Sequence, residues 1–406
     1  MDGPHGRWAT SARALASVAM VGVLAAGLVA GCDDSSSSVA PGGNTGTSRP
    51  AATDPGGSGG AAATTVEVLL ATLRDGTRTE RADAATELGR LGDPTAVPSL
   101  VTALGDEDWD VRGAVAGALG TLGDPTAVEP LLALIGVEPA TPDVAEEDLS
   151  PAASACNEAV TALGKLGAVG AVPRLLAIAV NPDTTLDAAA AEAAIIAIGP
   201  AAVDAVAAEL TAAPAGRAGA IAALLARLGD QALAPLLTAL RSKTTSQRVA
   251  AAEALGAYGS DAVPALIKAL GDSKDSVRNA AAASLGSIGA KSATGKLVNL
   301  LSDTDTRKAA VRALVAIYAD DATPLVKYLK HRSTVQVYRP LIKLGQDDTV
   351  SALVTALKQF GTKRMGETYL NAGEPHLEKA ARNWAKAHGY YVVPSGGVGE
   401  EGWGDR

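Results

Sequence analysis

Aromatic side chains are nearly missing from this sequence, at 3% of 406 residues with a single Phe. Rings normally supply much of a core's buried area. A core without them must be assembled from Ala, Leu, Val and Ile, which argues against ring-filled sandwiches and barrels and favours thin helices in close contact. Cysteine is equally scarce, and two residues exclude a disulfide-dense scaffold. Charged residues make up only 19% of the chain, and the net charge of −9 argues against whole-molecule affinity for nucleic acid. There is no Gly-rich phosphate loop of either standard form. Ser, His and Asp occur without a nucleophile elbow or comparable spacing, so no covalent catalyst can be named.

What the chain does have begins with an address. Arg7 and Arg13 precede an apolar run from Ala14 to Ala30, followed by small residues and Cys32. A positive start, a short apolar stretch and small residues at the cut describe an export signal over residues 1–31. The run is marginal for spanning the roughly 30 Å of membrane hydrocarbon. Val29-Ala30-Gly31-Cys32 resembles the lipobox of bacterial lipoproteins. That resemblance implies a lipid on Cys32 and a membrane-anchored, extracytoplasmic protein; an ordinary cleaved signal or an uncleaved helical anchor is the alternative. Residues 32–64 are rich in Ser, Gly, Pro, Ala and Thr. They cannot bury enough surface to offset ordering and are expected to form a flexible tether with a reach of roughly 30 Å.

Residues 65–360 are repetitive. Glu253–Gly259 (EALGAYG) and Ala283–Gly289 (ASLGSIG) sit 30 residues apart, and related blocks close at Gly92, Gly123, Gly167, Gly199, Gly229, Tyr318 and Gly345. Nine copies at near-constant period predict a solenoid, in which each unit buries its apolar face only against neighbours. In one unit, Asp261-Ala262-Val263-Pro264 opens a helix with Pro in its first turn. That helix stops at Gly271, and Asp272 to Asp275 turn the chain. A second helix then places Val277, Ala281, Leu285 and Ile288 on one stripe and ends at Gly289. The fold class is therefore all-α, a stack of helical hairpins forming an arc on the order of 90 Å long.

The motif VRxxAAxxLGxxG, present as Val277-Arg278 to Gly289 and Val111-Arg112 to Gly123, resembles the short HEAT-like repeats of phycobilisome lyase subunits and their relatives. The resemblance implies the fold more than a function, since such solenoids host unrelated activities. Deoxyhypusine hydroxylase, a HEAT-type relative, binds iron through His-Glu dipeptides. Here the four His are followed by Gly6, Arg332, Leu377 and Gly389, so that ligand set is absent and no metal or other cofactor is expected. The lyase activity has no motif that maps onto named positions.

Among candidate contact residues, Arg recurs eleven positions before the closing residue, at Arg81, Arg112, Arg248, Arg278 and Arg307. These arginines read either as a ladder pairing with turn or cap carboxylates such as Asp110 and Asp275, or as a basic stripe for an anionic partner. The same slot holds Cys156 in the third copy, expected as a small buried filler. Asp106, Asp108 and Asp110 alternate like the start of a calcium loop, but the sixth and twelfth positions are Val111 and Gly117, where an EF-hand needs Gly and Glu. They read as helix-capping carboxylates, with a weak cation site as the alternative. Trp109 stands among them as a further candidate contact. An acidic insertion at about 136–150 widens one spacing to 44 residues and is either a solvated loop or a contact.

Charge divides along the chain. Residues 33–240 carry 10 Lys/Arg against 27 Asp/Glu, whereas residues 241–390 carry 22 against 13. Rings follow the same division: beyond the signal, Trp109 is the only one before Tyr258. Rings beside cations suit an interface, although degenerate end repeats could equally need rings to fill gaps. A terminal cap is expected over 361–393, built on a helix from Pro375, with a flexible Gly-rich tail over 394–406. These features together predict a membrane-anchored scaffold that binds a protein partner without catalysis. The competing readings are a lyase- or hydroxylase-type enzyme and a binder of anionic envelope polymer.

Overall fold

The structure is a computed structural model that describes residues 58–136, 151–181, 184–394 and 401–405. The expected signal, the lipidation site Cys32, the tether up to residue 57 and the insertion from 137 to 150 lie outside the described residues. The architecture is an all-α solenoid of stacked helical hairpins that ends in one two-stranded ribbon.

In chain order the helices are α1 (Ser58–Asp75), α2 (Arg78–Leu91), α3 (Val97–Ala103), α4 (Trp109–Leu122), α5 (Val128–Gly136), α6 (Pro151–Lys165) and α7 (Val172–Ala179). They continue with α8 (Ala188–Ile198), α9 (Val203–Ala212), α10 (Ala215–Arg227), α11 (Leu233–Ala239), α12 (Thr245–Ala254), α13 (Val263–Ala269) and α14 (Asp275–Ile288). The last are α15 (Thr294–Leu300), α16 (Arg307–Ile317), α17 (Tyr338–Leu344), α18 (Val350–Phe360), α19 (Lys363–Leu370) and α20 (Pro375–Ala387). The first helix of the ninth hairpin, Thr323–Lys330, is wound as a 3-10 helix. Helix α1 starts inside the segment expected as tether, where Ala61-Ala62-Ala63 supplies the best helix-forming residues.

Three positions of the repeat explain why this sequence stacks. The residue four before each closing position, from Leu88 through Leu285 to Leu341, is 0% exposed in all nine copies. It is the anchor of each unit's apolar stripe. A short 3-10 turn precedes most first helices. In the first two of these turns Asp93 and Asp124 accept hydrogen bonds from the Thr95 and Thr126 N–H groups at 2.9 and 2.8 Å, and Pro fills the first turn position. The Ala that ends this turn is 0% exposed in eight successive units, from Ala96 to Ala322. Ala262→Leu is therefore expected to overpack the joint and lower unfolding free energy by about 2 kcal/mol; an unchanged denaturant midpoint would show that the slot has room.

The closing position matters through backbone geometry. Gly289 takes φ 74° and ψ 30°, which lets the chain leave α14 and turn into the next unit. Seven other closing glycines share positive φ, from 53° to 93°. At the eighth copy the closing residue is Tyr318, and α16 ends there at φ −117° instead. The next first helix then winds as 3-10.

Ala188–Ala212 has the length and hydropathy to cross a membrane. It is α8 and α9 interrupted at Gly199-Pro200, with Ala191, Ile195, Val206 and Leu210 turned into the stack. At the far end, Glu374 accepts the Leu377 N–H at 2.6 Å to start α20, which lays Leu377, Ala381 and Trp384 against α18 and α19. Residues 390–394 (β1) then pair antiparallel with 401–405 (β2). This corrects the expectation of a flexible tail from 394 onward. Tyr390-Tyr391-Val392-Val393 has the aromatic and β-branched pattern that favours a strand, and its partner lies just beyond a Gly-containing link.

Candidate protein-binding surface

Three of the second helices, α4, α14 and α16, begin after a turn whose first Asp closes on the backbone two residues later. Asp106, Asp272 and Asp303 accept from Asp108, Lys274 and Asp305 N–H at 2.9, 2.9 and 3.1 Å. The other side of that carboxylate meets the arginine of the preceding repeat. Arg81 donates Nε and Nη2 to Asp106 at 2.8 and 2.7 Å, and Arg248 does the same to Asp272 at 2.9 and 3.0 Å. Arg278 reaches Asp303 through Nη2 at 2.9 Å.

Every one of these arginines also braces its own turn. Arg248 donates to the Ser242 and Lys243 carbonyls, Arg278 to those of Asp272 and Ser273, and Arg307 to those of Leu301 and Ser302. The result is a ladder in which a guanidinium holds its own turn by carbonyls and the next turn by a carboxylate. Arg81 and Arg248 side chains are only 13% and 12% exposed, so these forks are occupied by the fold.

The expected ladder is present, but its acids differ from those expected. Asp110 pairs with Arg78 instead, and Asp275 takes no ladder arginine. The reason is geometric: the first Asp of the turn reaches the slot arginine of the preceding repeat, whereas Asp110, in the first turn of α4, reaches Arg78 at the start of α2. Asp108 caps α4 through the Asp110 N–H at 2.9 Å, as the sequence predicted for these carboxylates. Among the described residues no cluster of three or more His, Cys, Asp or Glu could hold a metal ion.

Electrostatics follow the geometry. Burial pushes the Asp106 carboxyl up, but Arg81 and the Asp108 N–H outweigh it, and the carboxyl rests below its ordinary value. Arg248 holds the Asp272 carboxyl down, and the Asp305 N–H followed by Arg278 does so for Asp303. A depressed folded-state value means these acids stabilise the fold fully above the unfolded carboxylate pKa near 4, and that stabilisation is lost as pH falls through the folded values. Between about pH 5 and 3 the melting temperature is therefore expected to drop, and Asp272→Asn should drop less than wild type over the same interval. Parallel pH profiles would refute the ladder's electrostatic role.

The ladder is interrupted in two places, the first spanning the third to fifth copies, where the slot holds Cys156, Ala188 and Ala218. In the third copy Cys156 fills the slot, fully buried, with its thiol directed at the Leu134 carbonyl at 3.5 Å. Burial raises its pKa, as expected of an inert filler. Asn157 replaces the rung by accepting the Asp187 N–H at 3.0 Å. Arg112 donates to the Asp106 carbonyl and lies over the Trp109 ring at 4.1 Å from its centroid. Trp109 is half-buried on a groove of about 530 Å³ between α2, α4 and α6, whose floor includes Gly89, Gly113 and Gly117 and whose rim carries Asp110 and Glu158.

The second interruption lies at the C-terminal end. Arg307 occupies the rung position, but the turn that should face it reads Lys330-His331-Arg332-Ser333, without an acid. Nearby, Arg339 of α17 is half-buried over the Tyr338 ring at 5.0 Å and gives Nε to Gln336 Oε1 at 3.1 Å. Burial first, and then the charges of Arg364 and Arg307, hold its pKa below the ordinary guanidinium value. Arg339 and Arg364 were not picked out from the sequence because neither falls in the repeat's arginine slot.

The rings of this half behave differently from an exposed interface. Tyr318, Tyr338, Tyr369 and Trp384 are between 0% and 9% exposed, and among the described residues Tyr391 is the one prominently exposed ring, at 48%. They fill the gaps left where small residues no longer mesh, the alternative reading of their clustering.

The fold and the repeated site define a helical solenoid scaffold. Family comparison is more specific: a HEAT-repeat model matches residues 66–150, 203–286 and 263–339, more than half of the chain, which belongs to the HEAT-repeat family. No curated protein matches in sequence. Among solved structures, human deoxyhypusine hydroxylase in complex with glycerol is 21% identical, covering 63% of this chain and 97% of its own, with a TM-score of 0.26. The CpcE–CpcF complex of phycocyanin lyase from Nostoc sp. PCC7120 is also 21% identical, covering 74% and 100%, with a TM-score of 0.29. A mutant of the karyopherin Kap121p is 14% identical over 80% of this chain, at a TM-score of 0.44, and this chain spans 41% of its length. Likeness at these identities concerns the fold alone.

Proposed function

We propose that this HEAT-repeat protein is an extracytoplasmic scaffold, held to a membrane by a lipid on Cys32, that binds another protein through its extended surface without catalytic turnover. The observation that carries the reading is the uneven use of charge along the stack. Arginines and acids are matched between repeats at Arg81, Arg248 and Arg278, whereas among the described residues Arg307, in the same slot, forms no ion pair. A surface of fixed shape with a localised charge excess suits recognition of a partner. The Val29-Ala30-Gly31-Cys32 sequence supports the anchor, and the composition of 33–57 supports a tether that presents the solenoid away from the bilayer.

Crosslinking in native membranes tests the scaffold: a specific co-purifying protein is expected, and none after efficient crosslinking would overturn it. Capture should survive about 0.5 M salt, where exposed charge contacts are screened; capture lost entirely there would favour an anionic envelope polymer. For the anchor, Cys32→Ser is expected to release the protein from membranes or leave it unprocessed. Unchanged lipid labelling of that variant would refute lipidation at Cys32.

A further inference from the structure

The terminal cap holds a cleft that neither the ladder nor the core uses. It lies between α18 and α20 and encloses about 490 Å³, enough for a small ligand or a short peptide segment. Helix α20 contributes His376, Ala380, Asn383 and Ala387, one stripe at spacings of 4, 3 and 4, so the cleft follows the helix for about 17 Å. Its floor is apolar: Val354 of α18 and Ala380 are half-buried, and Trp384 is 9% exposed. The indole is fixed from two sides. His388 stacks on it with centroids 4.2 Å apart and Nδ1 2.8 Å from the Trp384 carbonyl oxygen, and Gly361 leaves room for the ring where any Cβ would collide with Nε1. Around this floor stand Lys358, Lys379, His376 and His388, all exposed, and no acid lines the cleft. The neighbouring Glu374 is buried and occupied by the Leu377 N–H at 2.6 Å and His376 Nδ1 at 2.8 Å. Among the described residues Lys358 and Lys379 form no ion pair.

We propose that this cleft binds a short acidic segment of the protein partner, with an aliphatic side chain laid on Trp384 and Ala380 and the flanking carboxylates held by Lys358 and Lys379. An apolar floor ringed by cations without counter-charges is complementary to an apolar side chain set between acids. It repels a basic segment, and it would strip water from a purely polar one without replacing the lost hydrogen bonds. The length of the cleft matches about five residues of extended chain. Because the indole is already held in place, docking on it costs little ordering. The surrounding segment, 241–390, carries 22 Lys/Arg against 13 Asp/Glu and steers an acidic chain toward the site. The inference rests on the scaffold reading above and adds the chemistry of the contact.

The test is the anisotropy of fluorescein-labelled peptides added to the full chain. A peptide of alternating Asp and Leu is expected to bind, and its counterpart of alternating Asp and Gly to bind at least about tenfold more weakly, because the apolar side chain is lost. The double variant Lys358→Glu/Lys379→Glu should weaken the Asp-Leu peptide by about tenfold or more. Lys291→Glu/Lys296→Glu, which changes the net charge of the same segment equally but lies outside the cleft, should leave it within about twofold. All four lysines are exposed, so the core is untouched, and circular dichroism melting shows that each variant is folded. No binding of the Asp-Leu peptide, equal affinity for the two peptides, or equal loss in the two double variants would overturn the site. Phosphatidylglycerol vesicles that displace the Asp-Leu peptide, and lose their own affinity in Lys358→Glu/Lys379→Glu, would overturn the assignment to a protein segment. A partner crosslinked in membranes whose capture is unchanged by Lys358→Glu/Lys379→Glu would sink this site and leave the scaffold standing; peptide binding that depends on these lysines, with no partner in membranes, would do the reverse.

Discussion

Gly164→Leu is expected to destabilise the solenoid by about 3 kcal/mol and to split its unfolding in two. Gly164 lies where α6 crosses α8. A Cβ there would stand 2.7 Å from the Ala194 Cα and 3.2 Å from the Ala194 carbonyl oxygen, so backbone rather than a flexible side chain is in the way. The helices can only move apart, and every contact of that interface loosens with them. Because a solenoid unit touches only its neighbours, a weakened joint uncouples what lies on either side. The N-terminal and C-terminal stacks should then melt separately in calorimetry. Gly219→Ala supplies the contrast. Gly219 sits inside α10 with nothing within 4 Å of its would-be Cβ, and the substitution should stabilise by about 0.5–1 kcal/mol through helix propensity. If both substitutions lower the melting point equally, close crossing is not the reason for the glycine at position 164.

Tyr369→Ala is expected to cost about 3–5 kcal/mol, the range for removing a large buried ring. Tyr369 is 0% exposed, meets the Tyr338 ring edge-on, and donates its hydroxyl hydrogen to the Leu353 carbonyl at 3.1 Å. Tyr369→Phe should cost about 1 kcal/mol, since it keeps the ring and loses only the hydrogen bond. The two variants separate packing from polarity. Tyr369→Ala should also disturb Arg339, because Tyr338 leans on the lost ring; a fully stable Tyr369→Ala variant would contradict the gap-filling role of the C-terminal rings. Chemical denaturation read by far-ultraviolet circular dichroism measures both.

Much of the fold was legible before any coordinates. The closing glycines marked the unit boundaries because Gly alone takes φ near 74° without strain, as at Gly289. The stripe of Val277, Ala281 and Leu285 marked the buried face, and all three are 0% exposed. Cys156 was readable as filler from its place in the arginine slot. The ladder was visible as a recurrence, but its partners were not. Arg248 and Asp272 are separated by 24 positions, and which acid of a turn faces backward depends on how one hairpin docks on the last. Likewise the tyrosines looked equally suited to an interface or a core, since a ring's exposure is a property of its neighbours.

The sequence by itself determined the period, the helical hairpin, the glycine at each unit's end and the division of charge between the two halves. Each of these is local, set by backbone conformation or by the face a residue takes on its own helix. Tertiary structure alone decided that Asp106, Asp272 and Asp303 close the ladder, that Tyr338 and Tyr369 are buried, and that Arg307 turns its Nε and Nη2 onto its own turn. The ladder and the ring pair join side chains on different repeats, and only the stacking of one hairpin on the next brings them within reach.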